Sequence, residues 1–293
     1  GNIIIYSLGI LFYLIKNSNF KLIYGRFLVG CYLAAILGKD VIFESHDPIY
    51  KRKNITARIF KNLIKSKNFK KLVVISQALK NIYLKAGYLN TNQIQVAHDS
   101  SDQVEDFRSK ITLKGKKKTL KVGYLGSLSR GKGIEIVASI SNKVKKDIEF
   151  HIVGGIDKDI KYWTEKINTK NVFFYGFKSQ KQIKNYLNSF DICLLPNQKK
   201  IQIEGVGNIS SITSPLKLFD YMSHKKAIIA SDLPVIREIL NKKNSILVKP
   251  NKSIEWINAI EKLKNTKLRK LLSNQALKDS YFYSWNKRAN DIL

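Results

Sequence analysis

The chain has 293 residues, 44% of them hydrophobic, with 14 Tyr and 14 Phe, which is enough apolar material for the cores of two ordinary domains and excludes a disordered chain. Its 52 Lys and Arg against 22 Asp and Glu give a net charge of +30; the lysines are spread throughout, as in a solvated, compositionally biased background, and the same charge suits phosphate-rich partners such as anionic lipid headgroups or nucleic acid. The two cysteines, Cys31 and Cys193, lie far apart with no CxxC pair and no spaced histidine, so the sequence gives no disulfide framework and no metal site, and it suits a reducing cytoplasm.

The first predicted element is "IIIYSLGILFYLI", Ile3 to Ile15. It is too short to span a bilayer and predicts a buried or membrane-interfacial helix. The chain has no initiator methionine, and the expectation is that it begins partway through a longer protein. From Lys21 onward, short apolar strands alternate with amphipathic helices: "KLIYGR", "DVIFESHDP", "KKLVVIS" and "QIQVAHDSSD". Residues Val104 to Lys118, with "LKGKKK" near their end, have linker character. The alternation then restarts with "LKVGYLGSL", "IEFHIVGG", "NVFFYGF", "FDICLLP", "KAIIASD" and "NSILVKP". Two α/β units built on parallel sheets and joined near residue 115 account for this pattern, and ligands of such sheets bind beyond the carboxyl ends of the strands.

Those ends carry the candidate site residues. In "VGYLGSLSRGKGIEIV", Val122 to Val137, a strand runs through a glycine-rich loop into a helix. Gly126, Gly131 and Gly133 permit close approach of backbone to a ligand, and Lys132 stands at the loop exit, where an ammonium can meet a diphosphate. The spacing matches neither GxGxxG nor the P-loop. "HIVGG" turns sharply at Gly154, beside a ligand or simply as a tight turn, and "VFFYGFKS" leaves Gly176 and Phe177 at a strand end. In "SITSPLKLFDYM", Ser214 reads as an N-cap and Pro215 as the first helical residue. A helix start binds anions through its N–H groups and dipole, and Lys217 adds a full charge; the plainer alternative is an ordinary surface helix with its lysine in water.

Jointly these segments resemble the nucleotide-sugar-binding domain of family-four retaining glycosyltransferases, which have the two-domain GT-B fold. The resemblance covers Leu120 to Pro250, while "LIYGR", "VIFESHDP", "LVVISQAL" and "VAHDSSD" are similar to the later part of the family's acceptor-side domain. It implies two Rossmann-like domains: a partial acceptor-side domain over 1–115, a donor domain over 116–275, and a C-terminal helix over 276–293 crossing back. It also implies roles. Lys132 would neutralise the donor diphosphate, with Gly126, Ser127 and Gly154 lining it. Ser214, Pro215 and Leu216 would offer backbone N–H groups, with Lys217 nearby. Asp220 would hold the ribose hydroxyls in place of the family's second glutamate, and the backbone at Phe177 and Lys178 would meet the base. His46 would face the donor sugar; read without the resemblance, it equally caps a turn before Asp47-Pro48.

The sequence departs from the family pattern at three points, one of them Asp220, a methylene shorter than the glutamate it stands for. Ser127 replaces an arginine, whose charge Arg130 could supply. Ile212 occupies the position of the first paired glutamate, leaving that contact to Glu204 or to backbone. The implied reaction is metal-independent sugar transfer from a UDP- or GDP-linked donor to a glycan or lipid-linked acceptor, with retention, at the inner face of a bacterial membrane. No cofactor is expected beyond the donor itself, and nucleic acid is not an expected partner, since no recognised motif for it occurs. A nucleotide-sugar epimerase-like enzyme, or a basic membrane- or nucleic-acid-binding protein without catalysis, are the alternative readings.

Overall fold

The structure is a computed structural model that describes residues 2–52, 55–129, 131–199, 202–203, 207–208 and 210–293. It divides into two compact units, Gly1–His98 with Asp291–Leu293, and Asp99–Asn290.

In the first unit, four apolar runs form β1 (Leu22–Gly25), β2 (Asp40–Ser45), β3 (Phe69–Val74) and β4 (Ile94–Val96), all parallel and in the order β1-β2-β3-β4. They alternate with α1 (Asn2–Lys16), α2 (Leu28–Ile36), α3 (Ile55–Lys65) and α4 (Gln77–Lys85). Of the two expectations for the opening apolar stretch, a buried or a membrane-interfacial helix, burial holds only in part. α1 seats Tyr6 edge-on against Phe27, places Ile10 against Gly30 and buries Leu14, but Ile3, Ile4, Ile5, Leu8 and Phe12 are exposed. A helix apolar on every side can cover only one of its faces with a single neighbour. Among the described residues no helix is long and apolar enough to cross a membrane.

The second unit is built on β5 (Leu120–Leu125), β6 (Ile148–Val153), β7 (Val172–Phe174), β8 (Ile192–Leu195), β11 (Ala227–Ser231) and β12 (Ile246–Val248), parallel throughout in the order β12-β11-β8-β5-β6-β7. A short antiparallel ladder of β9 (Gln202–Ile203) and β10 (Gly207–Asn208) lies in the segment between β8 and α8 (Leu216–Ser223). α5 (Ile134–Ile140), α6 (Asp157–Lys166), α7 (Gln180–Ser189), α9 (Pro234–Arg237), α10 (Ser253–Lys262), α11 (Thr266–Ser280) and α12 (Trp285–Ile292) complete the described α-helices. Alternate residues of each strand enter opposite cores. Val122, Tyr124, Phe150 and Ile152 pack with Trp256 on one face, while Leu125, Val153, Cys193 and Leu195 pack with Phe219 and Tyr221 on the other. From β5 the chain builds outward through β6 and β7, then returns to place β8 on the other side of β5. In parallel sheets such a reversal, here at the carboxyl ends of β5 and β8, is where ligands bind.

The polar stretch read as a linker belongs to the second unit. Asn188 donates to Asp106 O and Ser109 O, the Ser189 hydroxyl accepts from Ile111 N, the Tyr175 hydroxyl accepts from Lys114 N, and Glu149 accepts from Lys116 N and from Thr119. Polar side chains far away in sequence thus satisfy the backbone of a segment that has no helix or strand of its own.

Candidate functional site

The glycine-rich loop follows β5 and is shaped by two residues whose roles the sequence does not announce. Glu135, in the first turn of α5, accepts from Gly131 N at 2.9 Å and from Gly133 N at 3.2 Å, so one carboxylate closes the loop into a ring. Tyr124, fully buried in β5, donates to Ser127 O at 2.8 Å, with Lys132 O at 3.3 Å sharing the proton. On its far side the loop lies hard against the end of β8. Gln198 N donates to Gly131 O, and a Cβ at Gly133 would fall 2.1 Å from Pro196 O. Gly133 sits at φ 103°, which only glycine adopts without strain.

Neighbouring turns pack directly onto this loop. Gly154, at the end of β6, has φ 117°, and a Cβ there would fall 2.2 Å from Gly126 O. Its N–H donates to Gly176 O at 2.8 Å, joining the β6 turn to the β7 turn. Phe177 and Lys178 follow at once, with the Phe177 ring 81% exposed. Gly176, Gly154 and Gly126 therefore form a row along the carboxyl edge of the sheet, and the row ends at Lys217. A Cβ on Gly126 would meet Lys217 Nζ at 3.7 Å.

α8 brings Lys217 there, although its start differs from the expected one. The N-cap is Pro215, not Ser214, because the Ser214 hydroxyl is taken by Asp99 N at 3.1 Å. Leu216 and Lys217 are the first helical residues, and their N–H groups precede the first possible acceptors within the helix. Lys217 is half-buried, with its Nζ 4.3 Å above the Tyr124 ring. Burial, and then the neighbouring positive charge of Lys132, pull its pKa down to about 7. Lys132 and Lys217 thus stand close enough to repel each other, on two separate turns. Two lysines on neighbouring turns are a charge pattern suited to an anion. Tyr221, one turn further along α8, fixes the helix to the sheet by accepting from Leu125 N and donating to Leu194 O.

Asp220 lies on the same helix, half-buried; burial, with Asp102 adding to it against Lys184, raises its carboxyl to about 6. Ser127 is exposed and contributes its carbonyl to Tyr124. Ile212, expected at the place of the first paired glutamate, is buried. Arg130 and Glu204 lie outside the described residues. His224, after α8, is buried, with its Nδ1 on Asp220 O and burial pulling its pKa down to about 4. It stays neutral at physiological pH and lends no charge to the site.

The family profile "Glycosyl transferases group 1" matches residues 119–266, which includes every element just described. The chain belongs to this glycosyltransferase family. Solved structures with the same fold include the UDP complex of HepE from Anabaena (16% identity, TM-score 0.76, covering 97% of this chain and 80% of that one). They also include a glycosyltransferase from Rickettsia africae (17%, TM-score 0.77, 97% and 78%) and sucrose-phosphate synthase from Thermosynechococcus elongatus (17%, TM-score 0.74, 98% and 75%). At these identities the likeness establishes the α/β, Rossmann-like architecture of GT-B glycosyltransferases. No curated protein matches the chain by sequence.

In the other unit of this glycosyltransferase, His46 follows β2 and is held from both sides. Arg26, just after β1, lies 3.0 Å from Nδ1, and Glu44 lies 2.6 Å from Nε2. A guanidinium only donates, so Nδ1 accepts and Nε2 carries the proton that Glu44 receives. Glu44 and Arg26 were not foreseen, although both flank the strand ends that the sequence marks. His98, in the segment "VAHDSSD", lies with Nδ1 3.0 Å from Ile75 O. Among the described residues no group of three or more His, Cys, Asp or Glu could hold a metal.

Proposed function

We propose that this glycosyltransferase takes its sugar from a nucleoside-diphosphate donor, UDP- or GDP-linked, with the diphosphate held between Lys132 on the glycine loop and Lys217 at the start of α8. The observation that carries this reading is the convergence of two lysines and a helix start on one edge of the sheet. Departure of a nucleoside diphosphate leaves two or three negative charges behind. Preorganised cations and N–H groups facing that charge lower the barrier more in a sheltered crevice than in water. Gly126 and Gly154 let the backbone come close to the diphosphate, beside Ser127. The turn at Phe177 and Lys178 takes the base, and Asp220 takes the ribose hydroxyls. Leu216 and Lys217 supply the free N–H groups of α8, while Ser214 and Pro215 set its entry.

His46 is assigned to the acceptor side, poised by Arg26 and Glu44; with both ring nitrogens engaged, a sugar hydroxyl would bind by displacing one of those contacts. The acceptor is a glycan or a lipid-linked glycan of surface polysaccharide assembly, and transfer proceeds with retention. Peripheral placement of this cytoplasmic enzyme on the inner membrane is supported by the net charge of +30 and the exposed apolar residues of α1. A thermal-shift panel of UDP- and GDP-sugars on the whole chain tests the donor assignment. At least one should raise the melting temperature, and Lys132→Ala should weaken it by about 2–4 kcal/mol, the cost of losing one preorganised contact. No stabilisation by any member of the panel would refute it, and product analysis separates sugar transfer from epimerisation.

A further inference from the structure

Lys217 poses a question that the donor reading alone does not answer. A lysine has four rotatable bonds and strong hydration, and this one is repelled by Lys132. Among the described residues no carboxylate pairs with it. The groups acting on it are Tyr124 from β5 and Lys132 from the glycine loop; Asp220 and Tyr221 follow on its own helix, and Glu135 of α5 acts on Tyr124 rather than on the lysine. What holds the ammonium in place is a ring face, 4.3 Å away. The electron-rich face of an aromatic ring attracts a cation most strongly where water is scarce.

The same tyrosine has a second attachment. Its hydroxyl sits in an otherwise apolar core of Val122, Ile134, Phe150 and Ile152, where phenylalanine would pack equally well and an unbonded hydroxyl would be costly. It is bonded to Ser127 O and Lys132 O, the two ends of the loop segment that presents Lys132. One buried side chain therefore touches both cationic turns.

We infer that Tyr124 is the positioning residue of the diphosphate site: its ring seats the Lys217 ammonium while its hydroxyl anchors the loop that carries Lys132. Tyr124 does not touch the donor and acts only through the two lysines. The inference rests on the donor reading above, and its test is arranged so that the two can fail separately. Tyr124→Phe removes the anchor and keeps the ring; Tyr124→Leu removes both. In the ligand-free protein, pH-dependent acetylation of Lys217 followed by mass spectrometry reports the ammonium's midpoint. Titration with UDP-glucose and with GDP-mannose at pH 6.5 and 8.5 reports donor affinity, and thermal melts confirm folding.

Tyr124→Phe should leave the acetylation midpoint near that of the wild type and weaken the donor about tenfold, the loss of one hydrogen bond's worth of loop order. Tyr124→Leu should in addition move the midpoint down by about one pH unit, because the charged form loses its seat. A midpoint unmoved in Tyr124→Leu overturns the seating role, and unchanged donor affinity in a folded Tyr124→Phe overturns the anchoring role. If neither sugar nucleotide binds the wild type, the donor reading falls, and the acetylation midpoints still decide whether the ring holds the lysine.

Discussion

Replacing Lys217 by methionine removes the charge and keeps most of the volume, and its consequences follow from the ammonium's surroundings. With burial and Lys132 holding its pKa at about 7, the lysine is roughly half protonated in the free protein at neutral pH. A bound diphosphate reverses the balance and holds it fully charged, so binding takes up a proton above pH 7. Observed affinity should then fall by about one decade per pH unit, near tenfold weaker at pH 8 and a hundredfold at pH 9 than at pH 6, as linkage requires for one proton. Calorimetric titration of a sugar nucleotide, whose esterified diphosphate keeps a constant charge over this range, measures both affinity and proton uptake when repeated in two buffers. Lys217→Met should flatten the profile and cost about 1.5–3 kcal/mol at pH 6.5, the worth of a charge-assisted contact. The sign for stability is opposite. Between pH 7 and the ordinary lysine value of 10.5, the unfolded chain holds a proton that the folded one has released. Wild-type stability should therefore rise with pH across that window, and the methionine variant should lose this rise. Affinity that is flat from pH 6.5 to 9, with no proton uptake, would refute the reasoning.

Other substitutions probe the remaining parts of the site. Gly154→Ala would drive a Cβ to 2.2 Å from Gly126 O at φ 117°, so it should cost well over the ~1–2 kcal/mol of left-handed strain alone, whereas Gly176→Ala, with its nearest atom 3.7 Å away, should cost only that strain; chemical denaturation compares them. Asp220, raised to about 6, should give donor binding an acid limb that strengthens from pH 5 to 7, and Asp220→Asn should remove the limb and weaken binding about tenfold at pH 7 while raising the melting temperature there, because the unfolded carboxyl ionises before the buried one. Burial alone would raise Glu149, but Lys116 N, Lys121 and Thr119 outweigh it and hold its carboxyl below the ordinary range. Its stabilising effect is therefore present above the ordinary glutamate value and lost as pH falls below it, and Glu149→Gln should cost about 3 kcal/mol by leaving Lys121 without its partner.

The strands of both sheets were legible because each is a short apolar run closed by glycine, proline or a polar turn, and because parallel strands buried on both faces need little else. The candidate site was marked in the sequence where charge and glycine coincide on a strand end or helix start, at Gly126, Lys132, Gly154 and Lys217, which the structure brings to one edge of the sheet. What escaped detection depends on partners distant in sequence. Ser214 has the pattern of an N-cap, but Asp99 N reaches its hydroxyl from 115 residues away, and the cap moves to Pro215. Tyr124 alternates correctly for a core residue, so nothing in the sequence separates it from phenylalanine; its hydroxyl matters only because the loop folds back over it. Glu135 reads as a helix residue with a favourable place near the dipole, and its pair of loop N–H groups becomes visible only once the loop is closed. The segment 104–118 looked like a tether because its own residues are polar, while the groups that fasten it, on α7, β6 and just after β7, stand 30 or more residues further on.

If two turns converge on a diphosphate, the affinity difference between a nucleoside diphosphate and its bare nucleoside must depend on both of them. UDP against uridine, and GDP against guanosine, titrated into the wild type, Lys132→Ala and Lys217→Met at pH 6.5, isolate what the phosphates contribute. The account predicts that for one of the two bases the diphosphate binds the wild type at least a hundredfold (about 3 kcal/mol) more tightly than its nucleoside, and that each lysine variant removes a large share of that advantage while leaving nucleoside binding unchanged. Equal affinity for diphosphate and nucleoside, or an advantage that survives both substitutions, would contradict it.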